Sequence, residues 1–561
     1  MTQIPDFKPS NPYWAETHEV RNLPEPLENY NAFEQDIALR QALKAYGGEW
    51  GREDVSAFGS ICGRADVIEL GAQANANKPE LFTHDRYGRR VDEVRFHPAY
   101  HDLMSLSMKH GLHASHWQQN REGAQVVRAA NYYLMAQVEA GHGCPITMTS
   151  AAIPTLKRQP DLFQTWAPKI LHADYDPRNI PDELKESVTI GMAMTEKQGG
   201  SDVRQNSTKA YPLGQRGPGQ MYELVGHKYF VSAPMCDAFL VLAQTEAGVS
   251  CFLVPRWRPD GTKNPLQIQR LKNKMGNVSN ASSETELRGA MGWLVGDEGR
   301  GVSAILEMVA MTRFDCMIGS SALMRQGVAQ ITHHCRTREA FGAKLSKQPL
   351  MQNVLADLVL ENEAALAFTM RLAKALDLAE HNDLEKNLVR IGTAVGKYWI
   401  CKRTPGHTYE AMECIGGSAV MEDSIMPRLF RESPINTIWE GSGNVQCLDM
   451  LRAMARTPGS FEAFMAELHR AQGKHPAMDR ALVDLQAAFA DQADIEYRSR
   501  DLVGKMALAM QASCLLTEGD EQVADAFCQA RLGNDNTGWV YGTLPRNIDC
   551  AALIERATPN L

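Results

Sequence analysis

The period of the hydrophobic positions changes twice along the chain. Over residues 33–46 (FEQDIALRQALKAY) and 124–139 (AQVVRAANYYLMAQVE) apolar side chains recur at the spacing that gathers them on one face of a helix. The stretch ahead of them is broken by Pro5, Pro9, Pro12, Pro24 and Pro26 and reads as extended chain. Near residue 186 the period drops to two. Val188, Ile190, Met192 and Met194 alternate with other positions, which predicts a strand with one buried face. Two hairpin-like pairs follow, MYELVGHKYFVSA and AFLVLAQTEAGVSCFLVPR, the second turning at Glu246, Ala247 and Gly248. Residues 186–296 are therefore predicted to form a compact β-domain, a small barrel or sandwich.

From Gly301 the helical period returns. One long helix is expected to run through GVSAILEMVAMTRFDCMIGSSALMRQGVAQITHHCR. A second starts at Pro349, a residue suited to a first turn, with Leu355, Leu358, Leu366, Thr369, Met370 and Ala373 on one face. Residues 384–403 and 405–415 supply more. Long helices joined by short loops predict an antiparallel bundle, and the TPGS at 457–460 separates it from a further helical segment. The fold class is α+β, divided as 1–185 (N-terminal α-domain), 186–296 (β-domain), 297–455 (helical bundle) and 456–561 (helical extension).

Composition narrows the functions. The 561 residues carry 58 Lys plus Arg against 67 Asp plus Glu, a net charge of −9, which gives no global attraction to nucleic acid or anionic lipid. Hydrophobic residues at 44% and charged residues at 22% belong to a globular chain. The opening MTQIPDFKPSNPYW does not read as a signal peptide, and no apolar run approaches the ~20 residues that span a bilayer, so a cytoplasmic, non-membrane protein is expected. Twelve cysteines are scattered without C-x-x-C spacing, mostly among apolar residues, the pattern of reduced buried thiols rather than of a disulfide or zinc framework.

There is no P-loop, G-x-G-x-x-G turn, H-E-x-x-H or G-x-S-x-G. Three stretches carry candidate chemistry. Met194–Asp202 (MTEKQGGSD) follows a strand, and its paired glycines let backbone amides approach a phosphate. Ile438–Asn444 (IWEGSGN) sets a carboxylate beside a bulky aromatic, an environment that raises its pKa and makes it a better base. Glu413–Gly417 and Arg336–Gly342 each combine a turn with a flexible or cationic donor. Each of these also reads as an ordinary turn or helix end. His97, His101, His110, His113 and His116 have helical spacing and are expected on a polar face, with no metal. Arg256, Arg258, Lys263, Arg270, Lys272 and Lys274 form a basic run, read as a solvated strand face with a phosphate-binding patch as the alternative.

Taken together, MTEKQGGSD, KYFVS, RTREAFG, the stretch from Glu413 to Glu432 and WEGSGN occur in the order and zones of the acyl-CoA dehydrogenases, and residues 60–455 resemble that family. RRVDEVRFHPAYH, QVEAGHGCPITMT, AMTRFDC, NTIWEGSGNVQCLDMLR and the helical extension are similar to its alkylation-response branch. The resemblance implies an N-terminal α-domain, a β-domain and a four-helix bundle, with FAD between the last two. It implies that Met194 and Thr195 contact the flavin ring, that Gly200 and Ser201 hold the pyrophosphate, and that Phe230 and Ser232 replace the family's tryptophan and threonine beside the ring. Arg338 and Phe341, with Gly416 and Gly417, would reach the FAD of a neighbouring subunit, hence a homotetramer; Ser442 completes the cofactor set.

By the same resemblance Glu440 is the base that removes the substrate α-proton. Its amide, with a ribityl hydroxyl, would hold the enolate oxygen, Arg313 would order it, and Trp439, in place of a tyrosine, would narrow the acyl pocket. The implied reaction is dehydrogenation of a short or branched acyl-CoA with an electron-transfer flavoprotein as acceptor. Two other readings stand beside it: a double-stranded-DNA-binding protein protecting against alkylation, and a scaffold that FAD merely stabilises. Against the second, 10 Lys plus Arg and 15 Asp plus Glu leave residues 456–561 at −5.

Overall fold

A computed structural model describes residues 17–119, 121–533 and 540–560. Helices Ile37–Ala45, Arg52–Cys62, Ala65–Ala76, Pro98–Lys109, Ala124–Val138, Gly143–Lys157 and Pro160–Ile170 build the first third. The first starts where Asp36 accepts the Leu39 amide at 3.0 Å, so the helical pattern seen from residue 33 becomes helix only after that cap. A hairpin, Glu80–His84 with Arg90–Arg95, interrupts these helices; no hairpin was expected there, because its short strands carry mostly polar and half-buried positions.

The β region is a closed ring. Strand Ala238–Thr245 pairs with Gly248–Pro255, which pairs with Ser282–Val295, then Met221–Ser232, then Lys209–Pro212, which returns to the first. Ile190–Ala193 extends that last edge in parallel, and Leu266–Leu271 pairs outside the ring with Ser282–Val295. Closure removes the exposed edges a sandwich would leave. The Glu246–Ala247 turn is where it was expected, with Thr245 facing Gly248.

Two local expectations fail. MYELVGHKYFVSA is one twelve-residue strand rather than a hairpin; Gly226 at φ +158° absorbs an irregularity in register, and a Cβ there would lie 2.4 Å from Thr208 Oγ1. Strand Ile190–Ala193 is buried on both faces, not one, because the helix Gly143–Lys157 covers its outer side and Gly191 lies flat against the Phe239 ring, 2.6 Å from where its Cβ would be.

Three long helices, Gly301–Thr337, Pro349–Leu378 and Asp383–Ile415, with Gly443–Arg456, form the bundle. Pro349 occupies the first turn as expected. The expected break at Pro405 does not occur. The helix Asp383–Ile415 passes through it, held on both sides by buried packing at Cys401, Thr404, His407 and Thr408, which overrides the lost backbone donor. Helices Ser460–His469, Pro476–Ala490, Ser499–Glu518, Glu521–Arg531 and Cys550–Ala557 then pack on the bundle and share its core. Among the described residues no helix is long and apolar enough to cross a membrane.

Buried ion pairs fasten the layers. Arg128 of the N-terminal helices meets Asp315 of the bundle at 2.6 Å. Arg371 reaches Glu385 at 2.9 Å and both Glu467 oxygens at 2.8 Å, tying the bundle to the extension. Removing one partner of such a set strands buried charge. Arg371→Met is therefore expected to lower stability by about 3–5 kcal/mol, read as a drop in the urea midpoint, with part of the loss recovered in Arg371→Met/Glu467→Met.

Candidate functional site

Trp439, Glu440 and Gly441 form a sharp loop between the short helix Ile435–Ile438 and the helix Gly443–Arg456. Glu440 sits at φ +60° and Gly441 at φ +102°, a left-handed turn that costs a non-glycine residue about 1–2 kcal/mol. Three donors hold it there. Lys397, in the middle of its helix and 1% exposed, donates to the Trp439 carbonyl at 2.9 Å and the Gly441 carbonyl at 2.6 Å. Arg313 Nε donates to the Glu440 carbonyl at 2.8 Å, and the Gln446 amide donates to the Glu440 and Gly441 carbonyls at 3.1 and 3.0 Å. Arg313 is fixed in turn by Asp449 at 2.9 Å, which Arg390 also pairs. Arg313 thus grips the backbone of the loop and not its carboxylate.

With its backbone held, the Glu440 side chain points inward. Oε2 is buried and without a hydrogen-bond partner. Burial pushes the carboxyl above its ordinary range, partly offset by Arg313, the Thr312 hydroxyl and Lys397. The Cys144 thiol is pushed up to about 12 by burial. Trp439 packs against the barrel core, which brings the Glu440 loop to the barrel. Trp439, whose indole donates to Asn436 at 2.8 Å, walls one side of a cavity of about 30 Å³ that runs past Cys144 to Leu112 and Leu323. Its polar wall includes Glu139, whose carboxyl burial would raise but which the His142 ring and amide hold down at about 2.

On the barrel side, Met194 and Thr195 follow strand Ile190–Ala193, their carbonyls taken by Asn206 and by the Tyr229 amide. Gly200 folds back onto Thr195, where a Cβ would lie 2.4 Å from Oγ1, while Gly199 at φ +142° and Ser201 face outward. Phe230 leaves 44% of its surface exposed beside Ser232, whose hydroxyl pairs with that of Ser282 at 2.9 Å. Under this loop lies an ion pair with both side chains fully buried, Glu196 with Lys228 at 2.8 Å. Burial opposes its charge, but Lys228 and donors from Ser207 and Thr208 hold the Glu196 carboxyl well below the usual range. The pair joins the MTEKQGGSD loop to the strand carrying Phe230.

Arg338, Phe341, Gly416 and Gly417 lie elsewhere. Cys335 Sγ meets the Cys414 carbonyl at 3.7 Å, so the ends of two long helices adjoin and present these four residues together. Phe341, at φ +53°, is wholly exposed, and the positions of Cβ atoms on Gly416 and Gly417 are open. From Arg313 to Arg338 the helix rises by about 37 Å, which separates this group from Glu440 within one chain. Ser442 is the exposed residue preceding helix Gly443–Arg456, without a side-chain capping bond.

Lys397, Gln446, Asp449, Cys144 and the Glu196–Lys228 pair were missed in the sequence. A lysine in AVGKYWI was the available signal, since a cation in an apolar stretch needs buried acceptors. The histidines are not on a polar face. His113 is buried and hydrogen-bonded to the His172 carbonyl, both His116 ring nitrogens are buried without partners, His97 caps helix Pro98–Lys109, His101 stacks on Tyr175, and His110 tilts against Phe58. Among the described residues no group of them is arranged to hold a metal. The basic run is not a solvated strand face either: Arg270 and Lys272 pair Glu284, Lys272 also lying over the Phe230 ring, Lys274 donates to the Asn280 carbonyl, and Arg256 turns inward to Asn179.

Residues 22–177 match the AidB N-terminal domain of the adaptive response protein, 191–290 the acyl-CoA dehydrogenase middle domain and 299–455 the acyl-CoA dehydrogenase C-terminal domain. Over 523 residues the chain is 44% identical to AidB of Escherichia coli (strain K12), covering 93% of this chain and 95% of that protein. It is 29% identical over 473 residues to acyl-CoA dehydrogenase family member 11 of Caenorhabditis elegans, covering 81% and 75% of the two. The crystal structure of Caenorhabditis elegans ACDH-11 in complex with C11-CoA superposes with a TM-score of 0.82 at 26% identity, over 93% of both chains. A buried carboxylate on a strained loop, a barrel rim beside it and these matches together make the chain a member of the acyl-CoA dehydrogenase family, similar along almost its whole length to AidB.

Proposed function

We propose that the protein is an FAD-dependent oxidoreductase that removes the α-proton of a short or branched acyl-CoA with Glu440 and passes the β-hydride to the flavin. The observation that carries the reading is the buried, unpartnered Oε2 of Glu440 on a loop whose three carbonyls are all tied down. A base fixed this way is aimed, and its desolvation favours taking a proton.

The residues present suit FAD. Phe230 offers an exposed aromatic face, Ser232 a hydroxyl, and the Gly199–Ser201 turn a backbone close approach that side chains would block. Bound there, FAD supplies the two-electron acceptor for the β-hydride. Met194, Thr195, Phe230 and Ser232 orient its ring, and Gly200, Ser201 and Ser442 hold its phosphates and ribityl chain. Arg313 and Lys397 keep the Glu440 loop closed while the carboxyl gains its proton, and the Glu440 amide faces the enolate oxygen that develops. Arg338, Phe341, Gly416 and Gly417 complete the cofactor site of a neighbouring chain in a homotetramer, for which the ~37 Å helix rise and the fully exposed Phe341 argue. An electron-transfer flavoprotein in the cytoplasm is the acceptor, in keeping with relatives such as the Acetobacterium woodii caffeyl-CoA reductase–Etf complex subunit.

The DNA-binding alternative finds little support in the extension, where Arg470, Lys505 and Arg556 are engaged in ion pairs with its own or the bundle's carboxylates. Binding to duplex phosphate needs cations free to displace counterions.

Five measurements test the reading. Glu440→Gln should cut anaerobic flavin bleaching by acyl-CoA at least 10³-fold, in line with loss of a positioned base; unchanged bleaching removes Glu440 as the base. Because the Glu440 pKa is raised, the wild-type bleaching rate should fall as pH drops through a value above that of an ordinary glutamate, a limb absent from Glu440→Gln. In the same sense, a carboxyl whose pKa is raised in the folded state weakens the fold above its unfolded pKa, so Glu440→Gln should raise the unfolding midpoint at pH 7. Trp439→Ala, which removes one wall of the existing cavity of about 30 Å³, should shift the preferred acyl chain to greater length. Phe341→Asp should lower both flavin content and oligomer size, measured by absorbance and light scattering.

A further inference from the structure

A second cavity, of about 190 Å³, lies away from Glu440, between the N-terminal hairpin and the barrel. Its floor is barrel wall, Val231, Phe239 and Thr285, so it backs onto the strand whose next residues on either side, Phe230 and Ser232, form the rim described above. Its polar lining is unbalanced. Arg90 is matched by Asp92, at 2.9 Å, and by the Ile268 carbonyl. Arg256 and Lys263 have no carboxylate partner among the described residues. Arg256 donates to Asn179 Oδ1 at 2.8 Å and contacts the Met235 sulfur, and its Nε is buried with nothing to donate to. Lys263 reaches only the Val91 carbonyl and stands over the Trp257 ring at 5.5 Å. The Trp257 Nε1 is likewise buried and without an acceptor.

Two cations and an indole N–H therefore surround a void with room for several waters, and burial disfavours the charge of both Arg256 and Lys263. Asp237 and Glu93 act on Arg256, and Asp92 and Glu93 on Lys263, only from beyond ion-pair distance, and buried charge so weakly matched is retained at a cost unless something of opposite sign enters. Carboxylates and phosphates accept from guanidinium, ammonium and indole donors at once, and a dianion matches two cations. Asp92, the carboxylate lining the cavity, is already occupied by Arg90 and the Ile268 amide. We propose that this cavity binds a small dianion, a phosphate or a short dicarboxylate, held by Arg256, Lys263 and the Trp257 indole.

The test is calorimetric titration of the full-length flavoprotein, in low-salt buffer free of such anions, with inorganic phosphate, pyrophosphate and succinate, and with chloride as ionic control. One of the three anions should bind saturably at one site per chain and change the tryptophan fluorescence, chloride should not, and the anion that binds identifies the source. Lys263→Gln should weaken binding about tenfold or more, as loss of a charged hydrogen bond does, with Lys263→Arg restoring it. Trp257→Phe should abolish the fluorescence change. No saturable binding by any of the three anions overturns the proposal, and so does binding left unaltered in both Lys263→Gln and Trp257→Phe. Because Lys263 and Trp257 are remote from Glu440, acyl-CoA bleaching in these variants should stay at the wild-type level; a failure of bleaching in the wild type would bear on Glu440 alone.

Discussion

A carboxyl group held at φ +60° with one oxygen buried and unpaired is costly in two ways, in backbone strain and in desolvation. Both costs can be carried only if the surrounding structure has no cheaper arrangement. The bundle meets that condition by spending polar side chains on carbonyls. Lys397 and Arg313 come from two different long helices, and Gln446 comes from the helix that follows the loop. Relaxing Glu440 would break bonds on three elements together. The second tier, Asp449 between Arg313 and Arg390, keeps Arg313 from swinging to the carboxylate, where a full ion pair would lower its pKa and cancel the desolvation.

The same helix that carries Arg313 also sets the scale of the molecule. Thirty-seven residues long, it holds the Glu440 loop and the fully exposed Phe341 tip about 37 Å apart. The extension contributes differently. Its helices share the bundle core and lend Glu467 to Arg371 and Arg556 to Glu363, so it acts as a splint for the helices behind the loop. Two of its cations, Arg531 and Arg556, are held by the bundle carboxylates Asp357, Glu361 and Glu363.

How much of this was legible in the sequence varied with how local each determinant is. The long helices were, because a 3.6-residue period over thirty positions has no competing explanation, and Pro349 marked its own start. One feature of the site was legible locally: Glu440 beside Trp439 predicted a raised pKa from two neighbouring residues, and burial delivers it. Pro405 misled because its effect is local and its compensation is tertiary. Strand Ile190–Ala193 misled because alternation reports one face of a sheet, whereas a covered barrel buries both. Asp449 was invisible for the same reason, and Lys397 showed only as a cation in an apolar stretch, since their partners lie 42 and 44 residues away for Lys397 and 59 and 136 for Asp449.

The basic run shows why charge could not be read from position alone. Alternation along residues 256–274 would send its side chains outward, but each cation follows its acceptors. Arg270 and Lys272 converge on Glu284 of the neighbouring strand, Lys274 turns to the Asn280 carbonyl, and Arg258 reaches the Gly289 carbonyl. These four are settled by the chain itself. Arg256 and Lys263 precede the strand Leu266–Leu271, in a tight turn closed by the Trp257–Lys263 bridge, and they line a cavity between two layers without a carboxylate at ion-pair distance. A net charge of −9 over the whole chain is compatible with this local excess of positive charge, because screening and distance make a buried pair answer to the groups within a few ångströms and not to the total.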